Sequence, residues 1–300
     1  MQITFLGTSA GEDYPSLWCH CPYCEYARVH GGKNIRQNSC ALLDDTVILD
    51  FSHHIFDSAL RYQTDITKAT CLLITHRHSD HLYPQHFNWR RGPRVNGVRI
   101  EPSAEKTVEE MIDERGPTHT PLPMLDVYGH ENALNRLRER TAGNDPELLE
   151  YTHRMRLHDT AHGDTVHFPD MTVTAAAAIH ADPGETLNYI IERKGKTVLY
   201  ALDCGGYEQG SWDIVDAFRY DLVVLECTFG YMPTEYPNHQ NITKNLRMLA
   251  HFNEKGLWKD RPNLVLSHIS PHWTPPHDVF SKEMRQYGIT VAYDGMKLEF

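Results

Sequence analysis

The sequence lacks both long apolar runs and a surplus of positive charge. No window contains the roughly twenty apolar residues that a membrane-spanning helix requires, and residues 1–8 lack the positive charge with which a secretory signal begins. The 300 residues include 29 Lys and Arg against 40 Asp and Glu, and the net charge of -11 repels a nucleic-acid backbone. We therefore expect a soluble, cytoplasmic protein that favours neither nucleic acids nor membranes as partners.

Internal repeats, low-complexity tracts and linkers are also missing, so we predict a single domain over residues 1–300. Short apolar runs predict strands at residues 3–6, 40–43, 47–50, 70–75, 172–178, 187–192, 197–202, 222–226, 264–267 and 289–293. Helical patterns fall between them, at residues 22–30, 133–140, 207–218, 243–253 and 277–287. Strands interleaved with helices predict a layered α/β (α+β) fold. Residues 88–123, rich in Arg, Pro and Gly, break this rhythm and are predicted to form an insertion or lid.

Cysteine is scarce, and the odd count of seven argues against a framework of disulfide bonds. Three of the seven are crowded together, at Cys19, Cys21 and Cys24. Three thiolates at this spacing are typical of a structural zinc site, which a fourth ligand would close as a tetrahedron. We predict that His272 is this ligand, because it follows another candidate ligand, His268, by four residues. A set of reduced surface cysteines is the alternative.

The strongest chemical signal is the sequence Thr-His-Arg-His-Ser-Asp-His at residues 75–81, which directly follows an apolar run. Continued strand geometry places His76 and His78 on one side, where both imidazoles can reach one metal ion. Asp80 and His81 then turn toward a second position, and paired ions are a recurrent device for hydrolysis. A polar loop after a buried strand is the alternative, but this order of residues is seldom accidental.

Further ligands are expected from the ends of other strands, where side chains converge over a sheet. His180, Asp203 and His268 each stand where an apolar run stops. Each alone is compatible with an ordinary strand terminus or turn. Their shared placement after the His-rich motif favours the interpretation as metal ligands.

Together these motifs resemble the metallo-β-lactamase superfamily. The likeness is carried by Gly7-Thr8, the cysteine cluster, Asp50 at a strand end, residues 76–81, His180, Asp203 and the segment 267–270. Within the superfamily, the chain resembles the phosphodiesterases of the bacterial carbon-phosphorus lyase pathway, which open a cyclic ribose phosphate. The resemblance implies a four-layer αββα sandwich with one structural zinc ion and two catalytic metal ions.

The resemblance also implies a role for each side chain. One metal ion would be bound by His76, His78 and His180, the second by Asp80, His81 and His268, with Asp203 bridging the two and Asp50 supporting the ligands. His239, in the segment 237–241, would donate a proton to the leaving group, and Asp80 would share in catalysis. A solvated loop histidine is the alternative for His239. His53 and His54 are among the histidines that receive no role.

We therefore predict a dinuclear-metal-dependent hydrolase, a phosphodiesterase that acts on a small cyclic phosphodiester, alone or as a homodimer. The seven catalytic ligands offer only nitrogen or oxygen, so manganese or zinc is expected there, and zinc at the thiolates. Two alternatives stay open. The acidic charge disfavours a tRNA 3′-processing endonuclease-like enzyme, and the complete ligand set disfavours a non-catalytic metal-binding protein of cofactor biosynthesis.

Overall fold

The computed structural model describes residues 1–90, 94–95, 98–99, 122–141 and 144–300. Most of the predicted insertion at 88–123 lies outside the described residues. Among the residues that are described, no helix is long and apolar enough to cross a membrane.

The described strands form two seven-stranded sheets and one short pair. In chain order they are β1 (Gln2–Gly7), β2 (Cys40–Leu43), β3 (Val47–Leu49), β4 (Cys71–Leu73), β5 (Arg94–Val95), β6 (Val98–Arg99), β7 (Leu125–Gly129), β8 (Met155–Asp159), β9 (Thr165–Phe168), β10 (Met171–Ala177), β11 (Leu187–Arg193), β12 (Lys196–Ala201), β13 (Leu222–Glu226), β14 (Leu264–Ser267), β15 (Thr290–Val291) and β16 (Lys297–Glu299). The first sheet has the order β16-β1-β2-β3-β4-β7-β8, and the second has the order β15-β14-β13-β12-β11-β10-β9. β5 and β6 pair with each other.

Helices connect these strands. The α-helices are α1 (Pro22–His30), α2 (Ile55–Arg61), α3 (Glu131–Arg140), α4 (Pro146–His153), α5 (Gln209–Val215), α6 (Ile242–Glu254) and α7 (His277–Arg285), and 3-10 turns occupy Gly32–Asn34, Ile66–Lys68 and Pro84–Arg90. α6 illustrates the local causes: the side chain of Asn241 accepts a hydrogen bond from the backbone of Lys244 and caps the helix. Ile242, Met248 and Phe252 then fall on one buried face.

Three apolar clusters account for the layers. One cluster lies between the sheets, since it joins Phe5 and Leu73 of the first sheet to Val224 and Val265 of the second. A second joins the opposite face of the second sheet to α5, α6 and α7, and a third joins the opposite face of the first sheet to α2, α3 and α4. The result is helices, sheet, sheet and helices, which confirms the predicted αββα sandwich.

All predicted strands and helices overlap elements of the structure, but α2, α4, β5, β6, β7, β8, β9 and β16 were not predicted. β8, β9 and β16 lie at sheet edges, where solvent covers part of the strand. Their sequences therefore mix apolar with charged residues and give a weak strand pattern. α2 and α4 span only seven and eight residues, too few for a clear helical period.

Candidate metal centre and active site

Polar side chains follow the carboxyl ends of neighbouring strands at one end of the sandwich. β3 and β4 are parallel, as are β12, β13 and β14, so each set ends at one edge of its sheet. β10 runs in the direction of β12, because both are antiparallel to β11. The segments after these strands therefore converge, and they carry the His-rich motif, His180, Asp203 and His268.

The backbone is strained at three of these positions. Asp50, Asp203 and His268 have φ angles of 60°, 48° and 52°, in the left-handed region that residues with a side chain rarely adopt. Such conformations cost about 1–3 kcal/mol each and persist where the surroundings fix them. Asp50 and His268 follow a strand directly and Asp203 follows β12 after one residue, so the sharp turn redirects each side chain from the sheet toward the site.

The first group of donors consists of His76, His78, His180 and Asp203, whose donor atoms all lie within 4.8 Å of one another. Nε2 of His76 lies 3.1 Å from Oδ2 of Asp203, and Nε2 of His180 lies 3.3 Å from Nδ1 of His78. All but His78 are buried. Three imidazoles and one carboxylate thus surround a common point.

The second group consists of Asp80, His81, His268 and, again, Asp203. Nε2 of His81 lies 3.0 Å from Nε2 of His268, 3.3 Å from Oδ2 of Asp80 and 3.1 Å from Oδ2 of Asp203. Because Asp203 belongs to both groups, its carboxylate lies between them. The structure thus brings together all seven side chains that the sequence singled out as ligands.

The chemistry of these donors fits divalent metal ions. Nε2 of His76 and Oδ1 of Asp203 are buried, and neither forms a well-directed hydrogen bond with the described residues, although Oδ2 of Asp203 and Nδ1 of His268 lie 3.1 and 3.3 Å from them. A buried polar atom without a partner costs about 1–3 kcal/mol, which a bound cation offsets. Imidazole and carboxylate donors suit divalent transition metals. The two groups therefore form a site for divalent metal ions.

Hydrogen bonds on the far side of two imidazoles aim their Nε2 atoms into the site. Nδ1 of His81 lies 2.8 Å from Oδ2 of Asp50, whose Oδ1 accepts hydrogen bonds from the backbone and the hydroxyl of Thr75. Nδ1 of His180 lies 3.2 Å from the carbonyl oxygen of Asn238. Because these oxygens only accept, Nδ1 carries a proton in both rings and Nε2 is the nitrogen that faces the site.

Burial and neighbouring charges set the protonation of the ligands. Burial, with a smaller contribution from His81, lowers the pKa of His76 to about 4, so this imidazole is neutral at pH 7. Burial raises the pKa of Asp203, but His268 and His81 outweigh it and hold that pKa well below its usual range. A neutral imidazole and an ionised carboxylate are the forms that bind a cation.

A carboxylate without a predicted role, Glu226, organises the other side of the site. It ends β13, is fully buried, accepts a 2.9 Å hydrogen bond from the backbone of Cys204 and lies 3.0 Å from Nδ1 of His239. Burial lowers the pKa of His239, but Glu226 outweighs it and raises that pKa to about 9. The hydroxyl of Thr228 donates to Glu226 and lies 2.9 Å from Nδ1 of His268. Glu226 therefore supports both His239 and, through Thr228, His268.

A cavity of about 400 Å³ borders both groups of donors. Its lining includes His239, so the histidine that the sequence assigned to proton donation lies beside the metal ligands. Phe229, Tyr236 and Asn238 add aromatic and amide surface, whereas no Lys or Arg among the described residues lines the cavity. The cavity thus joins a metal-binding wall to a wall that suits an uncharged organic group.

The sulfur atoms of Cys19, Cys21 and Cys24 form a separate group, within 4.8 Å of one another. Nδ1 of His272 lies 3.5 Å from Sγ of Cys19, where it can complete a set of three sulfurs and one nitrogen. The other ring nitrogen of His272 lies 2.8 Å from Oε2 of Glu12, and the hydroxyl of Ser270 donates to Oε1 of Glu12 at 2.6 Å. The cysteine cluster is therefore linked to the cavity, which Glu12 and Ser270 also line.

Comparisons with solved structures give the same fold. The chain is similar over its whole length to a diphosphatase from the PhnP family (19% identity, TM-score 0.65, 98% of that chain covered) and to zinc-bound PqqB from Methylobacterium extorquens (16% identity, TM-score 0.67, 100% covered). It is also similar over its whole length to the short form of human tRNase Z (19% identity, TM-score 0.62, 99% covered). No curated protein sequence matches the chain significantly.

The family assignment comes from the sequence itself. A family model described as the beta-lactamase superfamily domain matches residues 45–269, which include all seven predicted ligands of the two donor groups. The match confirms the predicted superfamily and, at that level, the predicted metal-dependent hydrolase. The chain belongs to the metallo-β-lactamase superfamily.

Proposed function

We propose that the protein is a dinuclear-metal-dependent phosphodiesterase that acts on a small phosphodiester, with cyclic ribose phosphates as the first candidates. The observation that carries the proposal is the sharing of Asp203 by two complete donor groups beside one cavity. The similarity to a PhnP-family diphosphatase and to tRNase Z supports chemistry at phosphorus.

The metal positions follow from the two donor groups. His76, His78 and His180 would hold one ion, Asp80, His81 and His268 the other, and Asp203 both, with manganese or zinc as the preferred metals. When bound, a pair of such ions lowers the pKa of water toward neutrality and neutralises charge on a phosphate. Asp50 fixes His81 in the tautomer that this arrangement requires.

His239 is suited to protonate the leaving oxygen. Its Nδ1 is held by Glu226, so Nε2 is the nitrogen available to a group in the cavity. An alkoxide leaves poorly unless it receives a proton as the bond to phosphorus breaks. Glu226 is a positioning residue in this proposal, because it fixes the ring of His239 without lining the cavity itself.

The charge of the cavity favours a diester over a monoester. A phosphomonoester carries close to two negative charges near pH 7 and a diester only one. Apart from bound metal ions, the described lining offers no Lys or Arg and only the protonated ring of His239 to meet the extra charge, and Glu12 adds a carboxylate. The uncharged surface of Phe229, Tyr236 and Asn238 can receive the organic part of the substrate. The same lack of Lys and Arg disfavours a nuclease acting on tRNA.

The proposal is tested by assaying the purified protein, with manganese or zinc, on cyclic ribose phosphates, alkyl and aryl diesters, and the matching monoesters. We expect hydrolysis of diesters in preference to monoesters, with loss of turnover in His76→Ala. His167→Ala is the control, because His167 is exposed on β9 and should be dispensable. Hydrolysis restricted to lactones or thioesters, or full turnover in His76→Ala, would contradict the proposal.

The role of His239 is tested by varying the leaving group. His239→Ala should slow cleavage of an alkyl diester by roughly 10²- to 10⁴-fold, the usual contribution of a general acid. Cleavage of a nitrophenyl diester should fall far less, because a nitrophenolate leaves without a proton. An equal loss for both substrates would exclude proton donation by His239.

The cysteine cluster is proposed as a structural zinc site. Cys19, Cys21, Cys24 and His272 offer the three sulfurs and one nitrogen of a closed tetrahedral site. We expect the bound zinc ion to order the chain around α1, whose first turn contains Cys24.

A further inference from the structure

A further set of potential metal ligands lies outside both donor groups and outside the cysteine cluster. It consists of Asp13, His53 and His54, whose donor atoms lie within 4.8 Å of one another. Nδ1 of His54 lies 3.4 Å from Oδ1 of Asp13, and the rings of His53 and His54 are 3.7 Å apart between centroids. None of the three belongs to the other donor groups or lines the active-site cavity.

Two of these donors are held in place by one buried residue, Asn38. Its side-chain amide donates to Oδ1 of Asp13 at 2.9 Å and to the carbonyl of Ala10 at 3.0 Å. Its backbone N–H donates to Nδ1 of His54 at 3.4 Å, which keeps this nitrogen unprotonated, and a metal ion bound at Nδ1 would replace this long hydrogen bond. Asp13 also has a left-handed backbone, with a φ of 59°. Asn38 thus holds the carboxylate of Asp13 and Nδ1 of His54 close to each other.

The third donor, His53, is fixed through its backbone. Its carbonyl oxygen lies 2.8 Å from Nε2 of His86, while its ring is exposed to solvent. An exposed ligand next to two partly buried ones gives a metal ion a path into the set from solvent.

The electrostatics of the set favour a cation. Burial lowers the pKa of His54 to about 4, and burial with nearby His86 lowers that of His53, so both rings are neutral near pH 7. Burial, Asp294 and Asp80 together raise the pKa of Asp13 to about 7. The surroundings of Asp13 are therefore negative, and two neutral imidazoles offer lone pairs without offsetting that charge.

We propose that Asp13, His53 and His54 bind a fourth divalent transition-metal ion, with zinc as the preferred metal. Two nitrogens and one oxygen suit zinc, whereas calcium and magnesium prefer oxygen ligands alone. With three protein ligands, one of them exposed, the ion keeps water in its remaining positions and exchanges more readily than ions in the buried groups. The site shares no ligand with those groups, so it does not depend on the proposed phosphodiesterase activity.

The experiment is a zinc titration of the metal-free, full-length protein, with bound zinc per chain measured by elemental analysis after removal of free metal. Wild type should bind one zinc ion more than His53→Gln and one more than Asp13→Asn. His167→Gln is the control, because His167 is exposed on β9 and belongs to none of the donor groups.

Cobalt substitution supplies a second readout. The difference in visible absorption between cobalt-loaded wild type and His53→Gln should correspond to one ion with nitrogen and oxygen ligands. His53 is exposed, so its replacement should leave the fold and the circular dichroism spectrum unchanged. A folded His53→Gln protein that binds as much zinc as wild type, with no difference spectrum, would overturn the proposal. A stoichiometry equal in wild type, Asp13→Asn and His167→Gln would do the same.

Discussion

The histidine-rich centre and the cysteine cluster both offer metal ligands, but different parts of the molecule organise them. His81 and His268 are 187 residues apart in the chain, and the two sheets bring their nitrogens to 3.0 Å. The three cysteines lie within six residues, and the only distant partner in the proposed set is His272. In the first case the sheets define the ligand positions, and in the second the local chain does.

Burial differs in the same way. His76, His81, Asp203 and His268 are at most 2% exposed, and the groups behind them are buried too. Cys19 and Cys21 are partly exposed, and His272 and Glu12 are exposed. We infer that the histidine-rich centre is ordered before a metal ion binds, whereas the cysteine cluster depends on its ion for order. Substitutions in the two regions should therefore have different effects on turnover, metal content and thermal stability.

The largest effect is expected from Asp203→Asn. This variant tests whether the two sheets alone hold the histidine-rich centre in its ordered conformation. Asn tolerates the left-handed backbone, so the fold should survive. Loss of the shared carboxylate should abolish hydrolysis and lower the metal content of both groups. Elemental analysis, turnover and thermal melting measure these effects, with Asp213→Asn, exposed on α5, as the control. Unfolding of Asp203→Asn at wild-type conditions would contradict the inferred order.

A smaller effect is expected from Asp50→Asn, which keeps the position but removes the charge behind His81. Partners of this kind contribute about 10- to 100-fold to metal affinity. The variant should need correspondingly more metal for half-maximal turnover and should recover most of its rate at saturation. A rate that stays low at every metal concentration would show that Asp50 acts on more than the ligand.

The smallest effect on turnover is expected from Cys21→Ser. Removing one thiolate should cost the zinc ion of the cluster and lower the melting temperature, while turnover changes far less than in Asp203→Asn. His20→Gln, between two of the cysteines and outside the proposed ligand set, should keep both zinc and stability. If turnover in Cys21→Ser falls as far as in Asp203→Asn, the link through Glu12 and Ser270 also orders the active site, and the two regions are not independent.

The sequence predicted the positions of the metal ligands better than the order of the strands within the sheets. Asp203 and His268 could be singled out because each is polar directly after an apolar run, a local property. Glu226 carries the same signal, since it closes the run 222–226, but it was assigned to the strand itself. Its importance follows from its position beside Cys204 and His239, which depends on β13 pairing next to β12. Strand order is a long-range property that local spacing does not contain.

The left-handed turn at Asp203 restricts which residues can occupy this position. A longer acid such as Glu would preserve the charge, yet it would have to adopt a torsion angle that β-carbon crowding penalises and would overreach the space between the imidazoles. Only a short side chain with a terminal oxygen meets both demands. Any attempt to move this ligand to another scaffold must therefore transplant the bend in the chain together with the carboxylate.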